Sequence, residues 1–212
     1  MKNFFLKMKH WQLFLLLFLP SLVMGIYVLQ SFPTPTADIE QWEAEGFFDP
    51  SNIYNSMKNV IPLMQLSLLL WPCYMLVLLF FLNNRVPSSQ KRSLAFPVFA
   101  LIFPVVYLLA MTAFMLYFFQ KLFVQNVNLF ENVSPGTIFA AIGIIFPCHL
   151  FAIFAFFYSS YVAAKLLKTA EMQREPKGDE FIGEFFLFWM FIVGVWLLQP
   201  RINKLFEQEE CE

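Results

Sequence analysis

His149 has the clearest capacity for chemistry in this 212-residue sequence, because it lies near the middle of an apolar run, 137–162, that contains no Asp, Glu, Lys or Arg. A charged side chain at the centre of hydrocarbon costs roughly 2.5–3.5 kcal/mol, so an ionisable group kept there raises a functional question. Tyr74 and Tyr107, in two other apolar runs, fall at similar depth. A histidine beside a phenol can relay protons or bind a polar solute. The alternative is a neutral imidazole whose hydrogen bonds tie helices together. Glu184 is the second candidate. It stands six residues before the centre of the last apolar run, roughly 9 Å toward one surface by helical rise. There it is either a proton-carrying acid or cation ligand at a vestibule, near Tyr158, or a helix anchor acting with Asp179 and Glu180. The depth offset between His149 and Glu184 argues against a direct pair unless a helix tilts or breaks.

No complete catalytic motif surrounds these residues. The chain has no phosphate-binding Gly-rich loop, no HExxH, no Gly-x-Ser-x-Gly and no Cys/His cluster, and its only histidines are His10 and His149. Cys73, Cys148 and Cys211 are an odd set without a CxxC pair, which suggests neither a disulfide framework nor a zinc site. No cofactor or metal is implied. The Lys91–Arg92 cluster and the 165–177 segment lack interleaved aromatics, so nucleic acid is not an expected partner. Gly178-Asp179-Glu180-Phe181 overlaps part of a cyclase signature but lacks its preceding glycine and a soluble domain.

The elements that must position these side chains follow from composition. With 59% hydrophobic residues, 29 Phe and 14% charge, the chain departs from the roughly 45–50% apolar, about 25% charged make-up of soluble domains. Its charges fall between apolar runs of roughly 20 residues, the length that crosses about 30 Å of hydrocarbon. The expected fold is an all-α polytopic membrane bundle of five transmembrane helices, at about 11–29, 61–82, 94–119, 137–162 and 181–198. The first run admits a signal-peptide reading, but it exceeds the usual 7–15-residue core and lacks a clean small-x-small site. The last run is the shortest, and a membrane-surface helix is its alternative. The partners implied are the lipid bilayer and a second membrane protein.

Five spans with a cytosolic N-terminus place ten Lys and Arg inside and four outside, in keeping with the positive-inside rule. The C-terminus then lies outside, with Arg201 and Lys204. The 31–59 segment becomes an outer loop, in which Thr34-Pro35 starts and Gly46 stops a short interfacial helix, and Asp49-Pro50 starts the next helix. The 164–180 segment becomes a cytosolic loop. Trp71-Pro72-Cys73-Tyr74 and Phe146-Pro147-Cys148-His149 match, which suggests a tandem duplication of helical hairpins, and broken helices at Pro20, Pro62, Pro72, Pro97, Pro104 and Pro147 would suit a transport site.

Lys9-His10-Trp11-Gln12-Leu13-Phe14, and Gly183-Glu184-Phe185-Phe186 leading to Trp196-Leu197-Leu198-Gln199-Pro200-Arg201-Ile202-Asn203-Lys204, resemble uncharacterised multi-pass membrane proteins of Bacteroidota. The likeness covers about 40 residues. It implies a bacterial inner membrane and carries no established activity or site residue. The functional expectation is a non-enzymatic accessory or interaction protein. The alternatives are a small-solute or proton-coupled transporter with a midplane site near His149, and an intramembrane enzyme.

Overall fold

The computed structural model describes residues 2–30, 50–121, 125 and 134–210. These form seven α-helices, with no strand among the described residues: α1 Lys2–Lys7, α2 His10–Gln30, α3 Pro50–Arg85, α4 Ala95–Phe119, α5 Pro135–Met172, α6 Gly178–Trp189 and α7 Phe191–Glu210. The expected interfacial helix between Pro35 and Glu45, and Cys211, lie outside the described residues.

Local chemistry sets the helix ends. Ser134 caps α5, its Oγ accepting the Thr137 N–H at 3.2 Å, and proline follows at the first helical position. Asn83 clamps the α3–α4 connection by accepting the Arg92 N–H at 3.0 Å and donating to the Arg92 carbonyl at 3.1 Å. α5 ends where Gln173 turns to φ 53°, and its side chain donates to the Arg85 carbonyl at 3.2 Å, tying the ends of α3 and α5 together. Glu180 reaches back to the Lys177 N–H at 2.7 Å and closes the first turn of α6.

Ring contacts give the packing directions. Phe96 meets Tyr158 while Phe103 meets Phe151, so α4 and α5 run antiparallel. Trp71 stacks near Phe156, and Gln173 reaches Arg85, so α3 and α5 run parallel. The core is built from Leu13 and Leu17 of α2, Met75, Leu78 and Leu82 of α3, Ala163 and Leu167 of α5, and Leu198 and Ile202 of α7.

The five-span expectation is overturned. Among the described residues, two helices are long and apolar enough to cross a membrane: α4, and α5 from Gly136 to Met172. The described apolar parts of α2 and α3, His10–Ile26 and Leu69–Arg85, are shorter. The run 181–198 is not one helix at all. It breaks at Met190, where ψ reaches 56°, and α7 folds back along α6. In a continuous helix Glu184 and Arg201 would stand roughly 25 Å apart by helical rise, yet their side chains bond at 2.7 Å. The reversal needs Gly194, because a Cβ there would overlap the Leu187 carbonyl oxygen. An apolar run of this length satisfies a span and a hairpin equally, and the close approach at Gly194 selects the hairpin.

Two further expectations change. The segment 164–180 is helical as far as Met172, because Ala163, Ala164, Leu166, Leu167 and Ala170 bury one face while Lys165 and Lys168 occupy another. The tandem repeat is not reflected in packing: Tyr74 is buried in the core, whereas its counterpart His149 is exposed, as is Phe146 opposite Trp71.

Candidate functional site

The four sequence candidates fall in three separate places. Glu184 belongs to an ion network at the base of the α6–α7 hairpin. It is buried, with 7% of its surface exposed, and it accepts from Arg201 at 2.7 Å and from Lys168 at 3.1 Å. Arg201 also grips Glu171 with two bonds, Nε at 2.7 Å and Nη2 at 2.5 Å, a fork geometry that a lysine could not supply. Two cations and two carboxylates leave the network neutral. Burial pushes the Glu184 carboxyl upward, and the hydrogen bonds from Arg201 and Lys168 overcome it and hold the group below its ordinary range. The Arg201 guanidinium is stabilised further in its charged form by Glu171. A buried carboxylate held by two cations at 2.7 and 3.1 Å suits a clamp better than a proton-exchanging group.

Tyr74 anchors a second network. Its hydroxyl donates to Gln199 Oε1 at 2.9 Å, and Gln199 Nε2 donates to the Phe5 carbonyl at 2.9 Å and the Met8 carbonyl at 3.1 Å. Asn203 donates to Met8 as well, at 3.1 Å. These bonds satisfy carbonyls at the end of α1, which explains why a six-residue helix folds down with Phe5 and Leu6 buried. Gln199→Leu would strand the Phe5 carbonyl and the Tyr74 hydroxyl while Asn203 still serves Met8, so it should cost about 1–3 kcal/mol. It should also raise amide exchange in α1 selectively; unchanged exchange there would contradict this role.

His149 and Tyr107 are brought together, with the phenol oxygen 3.4 Å from Nδ1 and 3.5 Å from the Ile145 carbonyl, at the outer limit of hydrogen bonding. His149 is exposed, and Tyr107 stacks on Phe103. The pair therefore sits on the α4–α5 surface, apart from Tyr74 and Glu184. Among the described residues, no group of three His, Cys, Asp or Glu side chains could hold a metal ion.

The sequence does not mark Arg201 and Gln199 as partners; the five-span expectation instead places Arg201 on the face of the membrane opposite Glu184. The depth of Glu184 and the cationic Arg201 at the far end of one apolar run were visible, but nothing in the run marked the turn except Gly194.

The hairpin also shapes a cavity of about 550 Å³. Its tip, Trp189–Val193, closes one side; Leu17, Phe18 and Ser21 of α2, Trp71 and Pro72 of α3, Ala100, Leu101, Pro104, Val105 and Leu108 of α4, and Phe156 form the rest. Pro72 and Pro104 line this cavity, but α3 and α4 run unbroken through them, contrary to the expectation of broken helices; the lining is apolar, and His149, Tyr74 and Tyr107 are not part of it.

A smaller electrostatic device caps the hairpin. Arg174 donates to both Glu180 oxygens, at 3.0 and 2.5 Å, and with the Lys177 N–H it pushes the Glu180 carboxyl down to about 2. A depressed carboxylate stabilises the fold above its unfolded pKa and loses that contribution as pH falls through the folded value. The first turn of α6 should therefore fray between about pH 4.5 and pH 2. Amide exchange at 179–182 checks this, and Glu180→Gln should remove the pH dependence. Comparison with protein-family models, curated proteins and solved structures returns no match.

Proposed function

We propose that this chain is a bilayer-embedded, non-enzymatic accessory protein, anchored by α4 and α5, that works by packing against a second membrane protein. The observation that carries the reading is the exposure of α5. Every described side chain from Gly136 to Ile144 is exposed around the full helix, including Phe139 at 74% and Ile144 at 68%. A core helix of a water-soluble protein would bury such residues, and an apolar helix exposed all round calls for lipid or a partner. Gly136, Ala140 and Gly143 would let a neighbouring helix come close, and a Cβ at Gly143 would meet nothing within 4 Å. The polar residues that could perform chemistry are engaged in internal ties at Glu184 and Tyr74, which favours a packing role over a catalytic one.

Orientation follows from charge. With Arg201 beside Glu171, twelve of the fourteen Lys and Arg gather at the end that holds Arg85, Met172 and α1, leaving Lys58 and Lys121 at the other. The positive-inside rule assigns the crowded end to the cytosol, and the C-terminal helix with it. We assign the membrane to a bacterial inner membrane on the resemblance of the Trp196–Lys204 string. Photo-crosslinking from Ala140 and Ile144 in cells should give one discrete protein adduct, absent from control sites on α2. Lipid-only adducts at both sites, together with solute flux by the purified chain in vesicles, would overturn the reading in favour of transport. The transport reading has the hairpin in its favour; against it, the described lining of the cavity beside the tip offers a polar solute little more than the Ser21 hydroxyl.

A further inference from the structure

We infer that the cavity at the hairpin tip is a binding site for one acyl chain of a bilayer lipid; this rests on the membrane-embedded reading above. The hairpin is too short to fill the bundle. Arg201 and Phe191 are ten residues apart along α7, so the tip lies roughly 15 Å from the ion network, about half of a 30 Å hydrocarbon layer. Beyond that level the described residues leave a cavity between α2, α4 and the face of α3 bearing Trp71. The 550 Å³ left there falls within the roughly 300–1,000 Å³ typical of ligand pockets.

Lining chemistry selects the occupant. Leucine, phenylalanine, tryptophan, proline and valine side chains dominate, and among the described lining residues Ser21 alone carries a hydroxyl. Such a wall offers water too few partners to hold it, and it offers an ion or sugar little to bind. It matches a hydrocarbon chain. Position makes that chain available, because the flanking surfaces are apolar and exposed: Leu19 and Leu22 on α2, Ile102 and Val106 on α4. The cavity is thus continuous in chemistry with surfaces that already face lipid tails. Trp71 reports on it directly, since its indole lines the wall while its Nε1 is buried without a hydrogen-bond partner among the described residues.

The test uses the full chain in vesicles of phosphatidylcholine brominated along the acyl chain, with forms that retain one of the five tryptophans and carry Phe at the other four. Trp71 alone should lose most of its emission to mid-chain bromine, and Ala100→Phe, which fills the cavity from α4, should restore it. A form with all five tryptophans replaced by Phe and a single Phe154→Trp on the exposed face of α5 reports bilayer contact independently and should be quenched with or without the substitution. A quenched α5 reporter with unquenched Trp71 would overturn the acyl-chain site and leave the membrane reading standing; an unquenched α5 reporter would overturn both. Quenching of Trp71 that survives Ala100→Phe would also sink the site. Because four Phe substitutions can disturb folding, native mass spectrometry of the otherwise unmodified chain provides a second reading. One retained lipid should be lost on Ala100→Phe, and equal retention would count against the site.

Discussion

Arg201→Gln should destabilise the folded chain more than any other substitution in the ion network. Removing one partner of a buried pair costs roughly 3–5 kcal/mol, because the other charge stays buried and uncompensated. Partial solvent access at Arg201 and Glu171 reduces the expected loss to about 2–4 kcal/mol here. Glu171 would then lose its forked partner, and Glu184 would keep only its bond from Lys168. Glu184→Gln should cost less, about 1–2 kcal/mol, since Arg201 keeps its fork on Glu171. Unfolding of the two single variants and the double variant in mild detergent gives the coupling, expected at about 0.5–3 kcal/mol. Additive losses would mean that the 2.7 Å contact contributes nothing. Glu184 is held below the ordinary carboxylate value, so its contribution is present above about pH 4.5 and fades as pH falls through the depressed pKa. Glu184→Gln should remove that part of the acid sensitivity.

Gly194→Ala should open the hairpin. The added methyl would collide with the Leu187 carbonyl, which is backbone and cannot rotate away, so α6 and α7 must separate. Overpacking of a fixed contact costs 1–3 kcal/mol and sometimes more, and this one should lie at or above about 3 kcal/mol. Gly183→Ala is the matched control, since a Cβ there meets nothing within 4 Å. It should be neutral or stabilise α6 by about 0.5–1 kcal/mol through helix propensity. The Glu184–Arg201 coupling reads the geometry: measured by double-variant cycles, it should persist in the Gly183→Ala background and vanish in the Gly194→Ala background. Equal coupling in both would contradict the fold-back.

The two variants also separate clamp from turn. Arg201→Gln loosens the base of the hairpin and leaves the tip packed by Phe191 against Trp71 and Tyr74. Gly194→Ala disturbs the tip and with it one wall of the cavity. Only the second should release the bound acyl chain.

Apolar run lengths and start signals were legible in the sequence. Pro50 opens α3 as the Asp49-Pro50 pair implied, and α4 begins and ends within a residue of the expected 94–119. The helical class followed from composition, because 59% hydrophobic residues arranged in long runs leave few other solutions. The extent of α5 was not legible. Lys165 and Lys168 looked like the edge of a loop, whereas the fold lets them occupy one face while alanine and leucine pack on the other. Tyr74 and His149 looked equivalent by letter, and only their neighbours made one a buried hydrogen-bond anchor and the other a surface residue.

The final apolar run marks the boundary most sharply. Its length and composition determined that 181–198 would be helical and hydrophobic, with an acid near one end and a cation beyond the other. Whether those charges sit on opposite sides of a bilayer or against each other depends on one backbone reversal at Met190. Hydropathy is a property of single residues and is the same for both answers. The fold-back was decided by what only tertiary structure supplies: room for α7 to touch Leu187 at Gly194, and partners for Arg201 on α5 and α6 at once.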